Sequence, residues 1–487
     1  MQTTTNNSSL KVVATNDDSN QENKRENIIS INELTKHRKL LPSAMFDRSS
    51  VSIWSVLKQC IGKELYRFTI PIIWNEPLSL LQRTAENIKF ADDLLDKAAK
   101  KHDPIERMEY VAAHIISCTS INVNRLSKPF NPLLGETYEY VDVERNYRIV
   151  CEQVSHHPPI TAFYAESLLL NKANQPLWKY YGQIYPVLKL NVMSAAIEAY
   201  PEGIQTIEIP EFNETYTWFP PKIFAHNLLI GKLWFEFHGK IDITNHKLNL
   251  KCKLDFIPYS WFSKGLNRVE GYISDENLNE KRISVLGGKW DEYFYGSRES
   301  NIEPSNFVKL LEKTVESSDS SKKASSKSKH KGNNNELQLF WKLSNQPAEL
   351  SECHEDYYNF TDFTFRLNQL NSEHESNTLV EIVDKNNSKP SSARYVSLGP
   401  LPKTDSRYRT DLRLYENGEL EKATTEKERL EENQRTRRHQ MESGDLEMYK
   451  PIWFNNQSHP CVDGEETWLF NGNYWDRDFT KCPDLFS

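Results

Sequence analysis

The sequence has no long apolar run. Nowhere does it approach the ~18–20 apolar residues that a membrane-crossing helix requires. Its longest candidate, residues 111–123, is cut by His114, Thr119 and Asn122. Cysteine is scarce and scattered: Cys60, Cys118, Cys151, Cys252, Cys353, Cys461 and Cys482. Seven is an odd number and no pair has CxxC spacing, which argues against both a zinc site and a disulfide framework. Each reads as a small buried hydrophobe in a reducing compartment. An excess of positive charge is also missing. Lys and Arg number 60 against 68 Asp and Glu, a net charge of -8, so bulk charge gives a nucleic-acid role no support. No repeat of fixed period is visible. The opening MQTTTNNSSLKVV lacks the basic stretch and apolar core of a secretory signal.

Hydrophobic residues make up 38% of 487, enough for a large core; a chain of this size buries roughly three quarters of the surface its unfolded form exposes. Residues 1–40 are polar and lack aromatics, and read as a disordered tail. A second low-complexity stretch, residues 316–335 (ESSDSSKKASSKSKHKGNNN), reads as a flexible insertion. Its lysines suit either solvent or anionic lipid headgroups.

Between these tracts helices come first. Residues 51–61 form an amphipathic candidate with Trp54, Leu57 and Ile61 on one face, widened by Ile53, and Gly62 as a stop. Residues 78–100 and 106–121 read as two more helices. From Tyr138 to Asp275 the period becomes two. Leu248, Leu250, Cys252, Leu254 and Phe256 alternate with polar residues, and Leu233, Phe235 and Phe237 do so before them. Many strands joined by short polar turns indicate an antiparallel meander that stacks or curls into a barrel. A large barrel leaves a cavity for a ligand. Strands are expected again at LQLFWKLS and FTDFTFRLNQL, then a charged helix over residues 424–442. An aromatic C-terminal stretch (Trp453, Phe454, Trp468, Phe470, Tyr474, Trp475) is expected to pack back on the body.

Three segments carry chemistry. In Lys128-Pro129-Phe130-Asn131-Pro132-Leu133-Leu134-Gly135-Glu136 two prolines and a glycine fix an irregular loop. It is either a ligand-contacting loop with Lys128 and Asn131 or a turn into the next strand. In Glu152-Gln153-Val154-Ser155-His156-His157-Pro158-Pro159 the prolines end a strand and offer two imidazoles near one point. Imidazoles bind metals, move protons or donate to phosphate. No third metal ligand sits at a useful spacing, and no elbow glycines surround Ser155. Two structural histidines remain the other reading. Lys427, Glu431 and Arg435 sit at i, i+4 and i+8, spanning about 12 Å of helix; alone they are also an ordinary solvent-facing ladder. Joined, two lysines, one arginine and two histidines suit a phosphate, with Glu431 accepting from sugar hydroxyls.

On these residues the sequence resembles the oxysterol-binding protein family. EQVSHHPP at 152–159 matches its signature, KPFNPLLGE at 128–136 its companion motif, and Lys-x3-Glu-x3-Arg at 427–435 its C-terminal basic helix. The likeness covers residues 41–487 outside the Ser/Lys insertion and is greatest to the short members. It implies an α+β, mainly antiparallel fold: a large incomplete β-barrel around a lipid tunnel, an amphipathic N-terminal lid over residues 50–63, and flanking helices. By the motif match, Lys128, Asn131, His156, His157, Lys427, Glu431 and Arg435 hold a phosphoinositide headgroup at the tunnel mouth. Ile53, Trp54, Leu57 and Ile61 form the lid's apolar cover.

The implied function is exchange of a sterol (cholesterol or an oxysterol) against phosphatidylinositol 4-phosphate, or the 4,5-bisphosphate, between intracellular membranes. The implied protein is cytosolic, touches membrane surfaces transiently, and needs no metal or cofactor. Some 40 residues before the core leave no room for the pleckstrin-homology or ankyrin modules of long members. Phe46 is the one aromatic in the first 50 residues, so the paired-aromatic tether motif is not expected and a diffusing shuttle is. The alternatives are a lipid sensor or scaffold of the same fold, a phosphatidylserine exchanger, and a lipid hydrolase using Ser155 with His156 or His157. No oxyanion-type glycine loop supports the last.

Overall fold

The computed structural model describes residues 27–48, 71–191, 196–228, 233–260, 266–321, 337–343, 354–384 and 394–487. The expected lid, with Ile53, Trp54, Leu57 and Ile61, lies outside them.

Among the described residues, three α-helices precede the main sheet. Helix α1 (Leu80–Ala85) starts where Ser79 and Gln82 make a reciprocal capping box. A 3-10 turn at Glu86–Ile88 separates it from α2 (Ala91–Lys100), so the expected single helix over 78–100 is broken. The break lets Glu86 face inward: Arg125 Nη1 donates to it at 2.7 Å. Helix α3 (Pro104–Ser120) begins at an Asp103 cap with proline in the first turn. Thirteen of its seventeen residues are buried, which suits a helix surrounded by protein rather than lying on it.

The surround is one fourteen-stranded sheet. Its strands are β1 (Thr137–Asp142), β2 (Tyr147–His156), β3 (Pro159–Ser167), β4 (Lys179–Asn191), β5 (Ala196–Glu202), β6 (Gln205–Ile209), β7 (Glu214–Trp218), β8 (Lys222–His226), β9 (Trp234–Asn245), β10 (Leu250–Phe256), β11 (Arg268–Asp275), β12 (Lys281–Lys289), β13 (Tyr293–Ser297) and β14 (Gln338–Lys342). All its pairings are antiparallel. The path runs β14-β13-β12-β11-β10-β9-β7-β6-β4-β3-β2-β1, and among the described residues its two ends are not joined. In β10 the alternation holds as expected: Leu250, Cys252, Leu254 and Phe256 are buried and the residues between them half-exposed.

One helix touches widely separated strands. Arg107 Nε donates to Glu214 on β7 at 3.0 Å, and Ser284 on β12 donates to Glu109 at 2.5 Å. The Tyr110 ring meets Phe340 on β14 at 5.2 Å, and the His114 ring meets Tyr180 on β4 at 5.6 Å. A sheet that reaches α3 from all these strands is wrapped round it. The architecture is an incomplete β-barrel with a helix through its interior.

The sheet also forks. Residues 179–182 of β4 pair with β6, and residues 185–191 pair with β5. Residues 234–238 of β9 pair with β8, while 244–245 pair with β7. A glycine stands at each change of partner. A Cβ on Gly182 would lie 2.5 Å from the Ile204 carbonyl, and Gly239 has φ +95°. Between α3 and the fork lies a cavity of about 150 Å³ lined by Ile115, Cys118, Tyr180, Trp218 and Phe237.

Three expectations are corrected. Residues 27–40 belong to the fold. Asn27–Ile29 pairs in parallel with Thr378–Val380, and Ile29, Ile31 and Leu34 pack on Val380, Val396 and Leu398. Polar composition hid these three apolar contacts. The FTDFTFRLNQL stretch is not a strand: Thr361 caps a short helix, α5 (Asp362–Arg366), accepting from Thr364 N. The low-complexity insertion does not begin at residue 316, because helix α4 (Pro304–Ser321) runs on through 321. Beyond α6 (Thr410–Glu416), the charged helix α7 spans Leu420–Ser443, slightly longer than expected.

The C-terminal aromatics do pack back. Trp453, Phe454, Tyr474 and Trp475 cluster with Val150, Val154 and Ala162 of β2 and β3. Behind α1, Arg125 is fully buried between Glu76 and Glu86, at 2.7 Å from each, and its guanidinium covers the Phe360 ring.

Candidate functional site

The histidine pair sits at a hairpin tip. β2 runs to His156, and β3 starts at Pro159, which pairs with His156. The two imidazole rings stand 4.5 Å apart. The first residues of the Lys128 loop (Lys128–Phe130) pair in parallel with Asn75–Ser79. Gly135 takes φ +83°, with the Tyr449 ring 3.0 Å from where a Cβ would stand. Glu136 holds the loop's far end. Its carboxylate accepts from Leu133 N (2.9 Å), Ser406 Oγ (2.6 Å) and Arg409 Nη1 (3.0 Å). Arg409 Nη1 also donates to the Asn131 carbonyl at 2.8 Å. The loop is thus built before any ligand arrives.

Within it Lys128 Nζ donates to Asn131 Oδ1 at 2.5 Å. Burial, together with the positive charges of Lys427 and Arg409, lowers the Lys128 ammonium to a pKa of about 8; Glu431 opposes the shift. Lys427 is itself buried, and its Nζ pairs with Glu431 Oε1 at 2.5 Å.

Gln434 joins this group to the histidines. Its Oε1 accepts from Leu134 N at 2.9 Å, and its Nε2 lies 2.9 Å from His156 Nε2. Arg438 Nη1 donates to His157 Nε2 at 2.6 Å. Burial first, then His157 and Arg438, drop the His156 pKa to about 4, so at neutral pH this ring is uncharged.

The structure therefore brings together Lys128 with Asn131, Lys427 with Glu431, and His156 with His157. Arg435 stands apart, with its side chain 53% exposed and paired with Glu432 at 2.9 Å. The reason is helical phase. At about 100° per residue, eight residues turn a side chain roughly 80° past the first. Positions 431, 434 and 438 all return within about 40° of Lys427. Gln434 and Arg438 were missed by the sequence reading, and the i+7 and i+11 spacing from Lys427 was the signal that would have found them. Glu152, inside the histidine segment, serves the scaffold: it accepts from Tyr449 Oη (2.6 Å), Ile452 N (2.9 Å) and Trp453 N (3.0 Å). Among the described residues no group of three or more His, Cys, Asp or Glu is placed to hold a metal.

An arrangement of two ammonium groups, two imidazoles and an amide around a rigid loop can grip a phosphate and sugar hydroxyls. The sequence profile of the family described as Oxysterol-binding protein matches residues 52–479. Oxysterol-binding protein-related protein 1 of Rattus norvegicus is 39% identical over 472 residues, 93% of this chain and 44% of the relative. Related protein 2 of Mus musculus is 38% identical, over 93% of this chain and 89% of the relative. The chain thus spans less than half of the one and most of the other. Among solved structures, the Osh1 ORD domain in complex with cholesterol superposes with a TM-score of 0.71 at 31% identity, covering 93% of this chain and 95% of that one. The Osh3 ORD of Saccharomyces cerevisiae in complex with PI(4)P gives 0.67 at 26%, covering 92% and 99%.

Proposed function

From its membership of the oxysterol-binding protein family, a family of lipid-binding proteins rather than enzymes, we propose that this chain takes a sterol and a phosphatidylinositol phosphate by turns into one cavity and exchanges them between membranes. The observation that carries the reading is that one face of α7 presents Lys427 beside Lys128 and, further along, Gln434 and Arg438 against His156 and His157. Structural relatives in complex with cholesterol and with PI(4)P support both ligands.

In this reading Lys128, Asn131, Lys427 and Glu431 bind one end of the headgroup, and His156 and His157 bind a phosphate at the other. Gln434 and Arg438 orient the imidazoles. Arg435 joins from solvent. Its exposed pair with Glu432 is worth ~0.2–1 kcal/mol, which a phosphate outbids. The apolar cavity at Tyr180, Trp218 and Phe237 belongs to the tunnel that shields a sterol or acyl chains, at roughly 25 cal/mol per Å² of apolar area buried. The ligands compete for that tunnel, so a gradient of one drives transport of the other. The protein works from the cytosol as a peripheral visitor to membranes, and a phosphatidylinositol 4,5-bisphosphate fits the same cationic mouth. Transfer of labelled cholesterol between liposomes, accelerated when the acceptor contains phosphatidylinositol 4-phosphate, is the expected result. Binding of both lipids with no acceleration would leave a sensor.

Two further outcomes follow from the geometry. Lys128 titrates near 8, and a phosphate monoester is already dianionic above its second pKa of about 6. Raising the pH from 7 to 9 removes the Lys128 proton. Phosphoinositide extraction is therefore expected to fall roughly tenfold across that window while cholesterol extraction stays level. Arg435→Ala is expected to weaken phosphoinositide binding about tenfold without moving Tm, because its present partner is an exposed one. Lys427→Ala is expected to lower both affinity and Tm, since it strips a partner from half-buried Glu431. Isothermal titration with a short-chain phosphoinositide and a thermal melt read the two apart.

A further inference from the structure

The Lys128 loop is fastened unequally at its two ends. Its far end has Glu136 and Arg409, which together hold Leu133 N and the Asn131 carbonyl. Its near end, where Lys128 stands, has less. The pairing of Lys128–Phe130 with Asn75–Ser79 is interrupted: Asn75 faces Lys128 and Ser79 faces Phe130, with the register broken between them. Phe130 is further gripped by the Tyr415 ring on α6, 5.5 Å away. Lys128 rests on the single pair with Asn75.

The remaining support comes from the N-terminal segment. Arg48 spans the two paired stretches at that same end. Its Nη2 donates to the Asn75 carbonyl at 3.0 Å and to Ser127 Oγ at 2.9 Å, and its Nε donates to the Ile73 carbonyl at 2.9 Å. Tyr415 Oη donates to the Asn75 carbonyl as well, at 2.9 Å. The guanidinium lies 5.3 Å from the Trp74 ring centre and 5.6 Å from that of Tyr358, contacts that suit a planar cation. A planar fork with five N–H groups reaches three acceptors at once, whereas an ammonium on a flexible stem holds no such geometry. Ser127 is buried and is the residue before Lys128. Arg48 bears on Lys128 through the backbone and not through its field, because the positive charges that act on that ammonium are those of Lys427 and Arg409.

We propose that Arg48 is a positioning residue of the headgroup site: by bridging Asn75 to Ser127 it holds the root of the loop so that Lys128 stands against Asn131 and beside Lys427, a role that rests on the reading of Lys128 as a headgroup ligand. Sterol binding does not need the bridge.

Two variants of the full chain test this. Arg48→Lys keeps the positive charge and loses the fork; Ser127→Ala keeps Arg48 and loses one arm of the bridge. Lysine labelled with carbon-13 at Cε reports the titration of Lys128 by NMR, its resonance assigned with Lys128→Arg. Lys128 titrates near 8 in the wild type. In both variants it is expected to rise toward the ordinary lysine value of about 10.4, because a loosened root lets the ammonium reach water and leave Lys427. Extraction of phosphatidylinositol 4-phosphate at pH 7 is expected to fall about tenfold in Arg48→Lys and about threefold in Ser127→Ala, and to lose its decline between pH 7 and 9. Cholesterol extraction is expected to stay within twofold of the wild type. Lys128 still titrating near 8 in both variants overturns the positioning role and leaves the headgroup reading standing. A displaced Lys128 with undiminished phosphoinositide extraction overturns the headgroup reading of Lys128, and the role of Arg48 with it. Equal loss of cholesterol extraction overturns the role too, by making Arg48 a support of the whole fold.

Discussion

With His156→Ala and His157→Ala together, the protein is expected to stop extracting phosphatidylinositol 4-phosphate from liposomes and still to extract cholesterol within twofold of the wild type. A hydrogen bond to a charged group contributes ~1.5–3 kcal/mol. Losing two amounts to ~3–6 kcal/mol, or roughly 10²–10⁴ in affinity by the same arithmetic. The fold does not depend on these rings. His157 is exposed at the turn, and the hairpin is held by the β2–β3 ladder and by Glu152 beneath it. The sterol would touch neither imidazole, which is why its extraction survives. Parallel loss of both lipids would mean that the tip supports the barrel rather than the headgroup. Retention of both would move the headgroup away from the tip altogether.

Arg125→Met is expected to be strongly destabilising. The side chains of Arg125 and Glu76 are wholly enclosed, and that of Glu86 almost so. Removing one partner of a buried ion pair costs about 3–5 kcal/mol, and here Arg83 alone is left to face both acids, 2.7 Å from Glu76 and 3.4 Å from Glu86. Glu76 is held below the usual carboxylate range by Arg125 and Arg83 against the opposing effect of burial. Take away Arg125 and that carboxylate rises. The cost then exists only while Glu76 is forced to ionise, so the deficit is fully present above the ordinary carboxylate range, where the unfolded chain ionises freely, and shrinks as the pH falls and the folded group takes up a proton. Thermal melts at pH 7.5 and pH 5 check this: the gap between variant and wild type should be wider at pH 7.5. A gap independent of pH would show that the packing of Arg125 on Phe360 matters more than its charge.

The fold class was legible because the alternation in β10 and its neighbours is strict, and because the helix through the barrel is far more apolar than the two before it. Local capping decided where the sequence misled. FTDFTFRLNQL has a strand's alternation, yet Thr361 accepts from Thr364 N, and a cap fixes a helix start that periodicity over five residues does not reveal. The N-terminal strap over residues 27–40 escaped because three scattered apolar residues carry it. In the candidate site, the motifs marked a loop, a hairpin and a helix that the fold brings side by side. They did not give the helix's phase, which sets Gln434 and Arg438 toward the histidines and Arg435 toward Glu432. Glu136 and Glu152 show a further limit. Both sit inside the motifs and both spend their carboxylates on backbone N–H groups and neighbouring side chains, which only the folded environment reveals.

The helix inside the barrel also sets an order of assembly. Residues 104–120 leave the ribosome before any strand of the main sheet exists. Tyr110 then has to wait for Phe340 on the last strand, and Glu109 for Ser284. Until then a helix that is buried on nearly every side in the finished fold must be sheltered by its short companions α1 and α2 or by a chaperone. The protein is built as a spindle that later winds its own sheet, so a chain deprived of that spindle would have nothing to wind on.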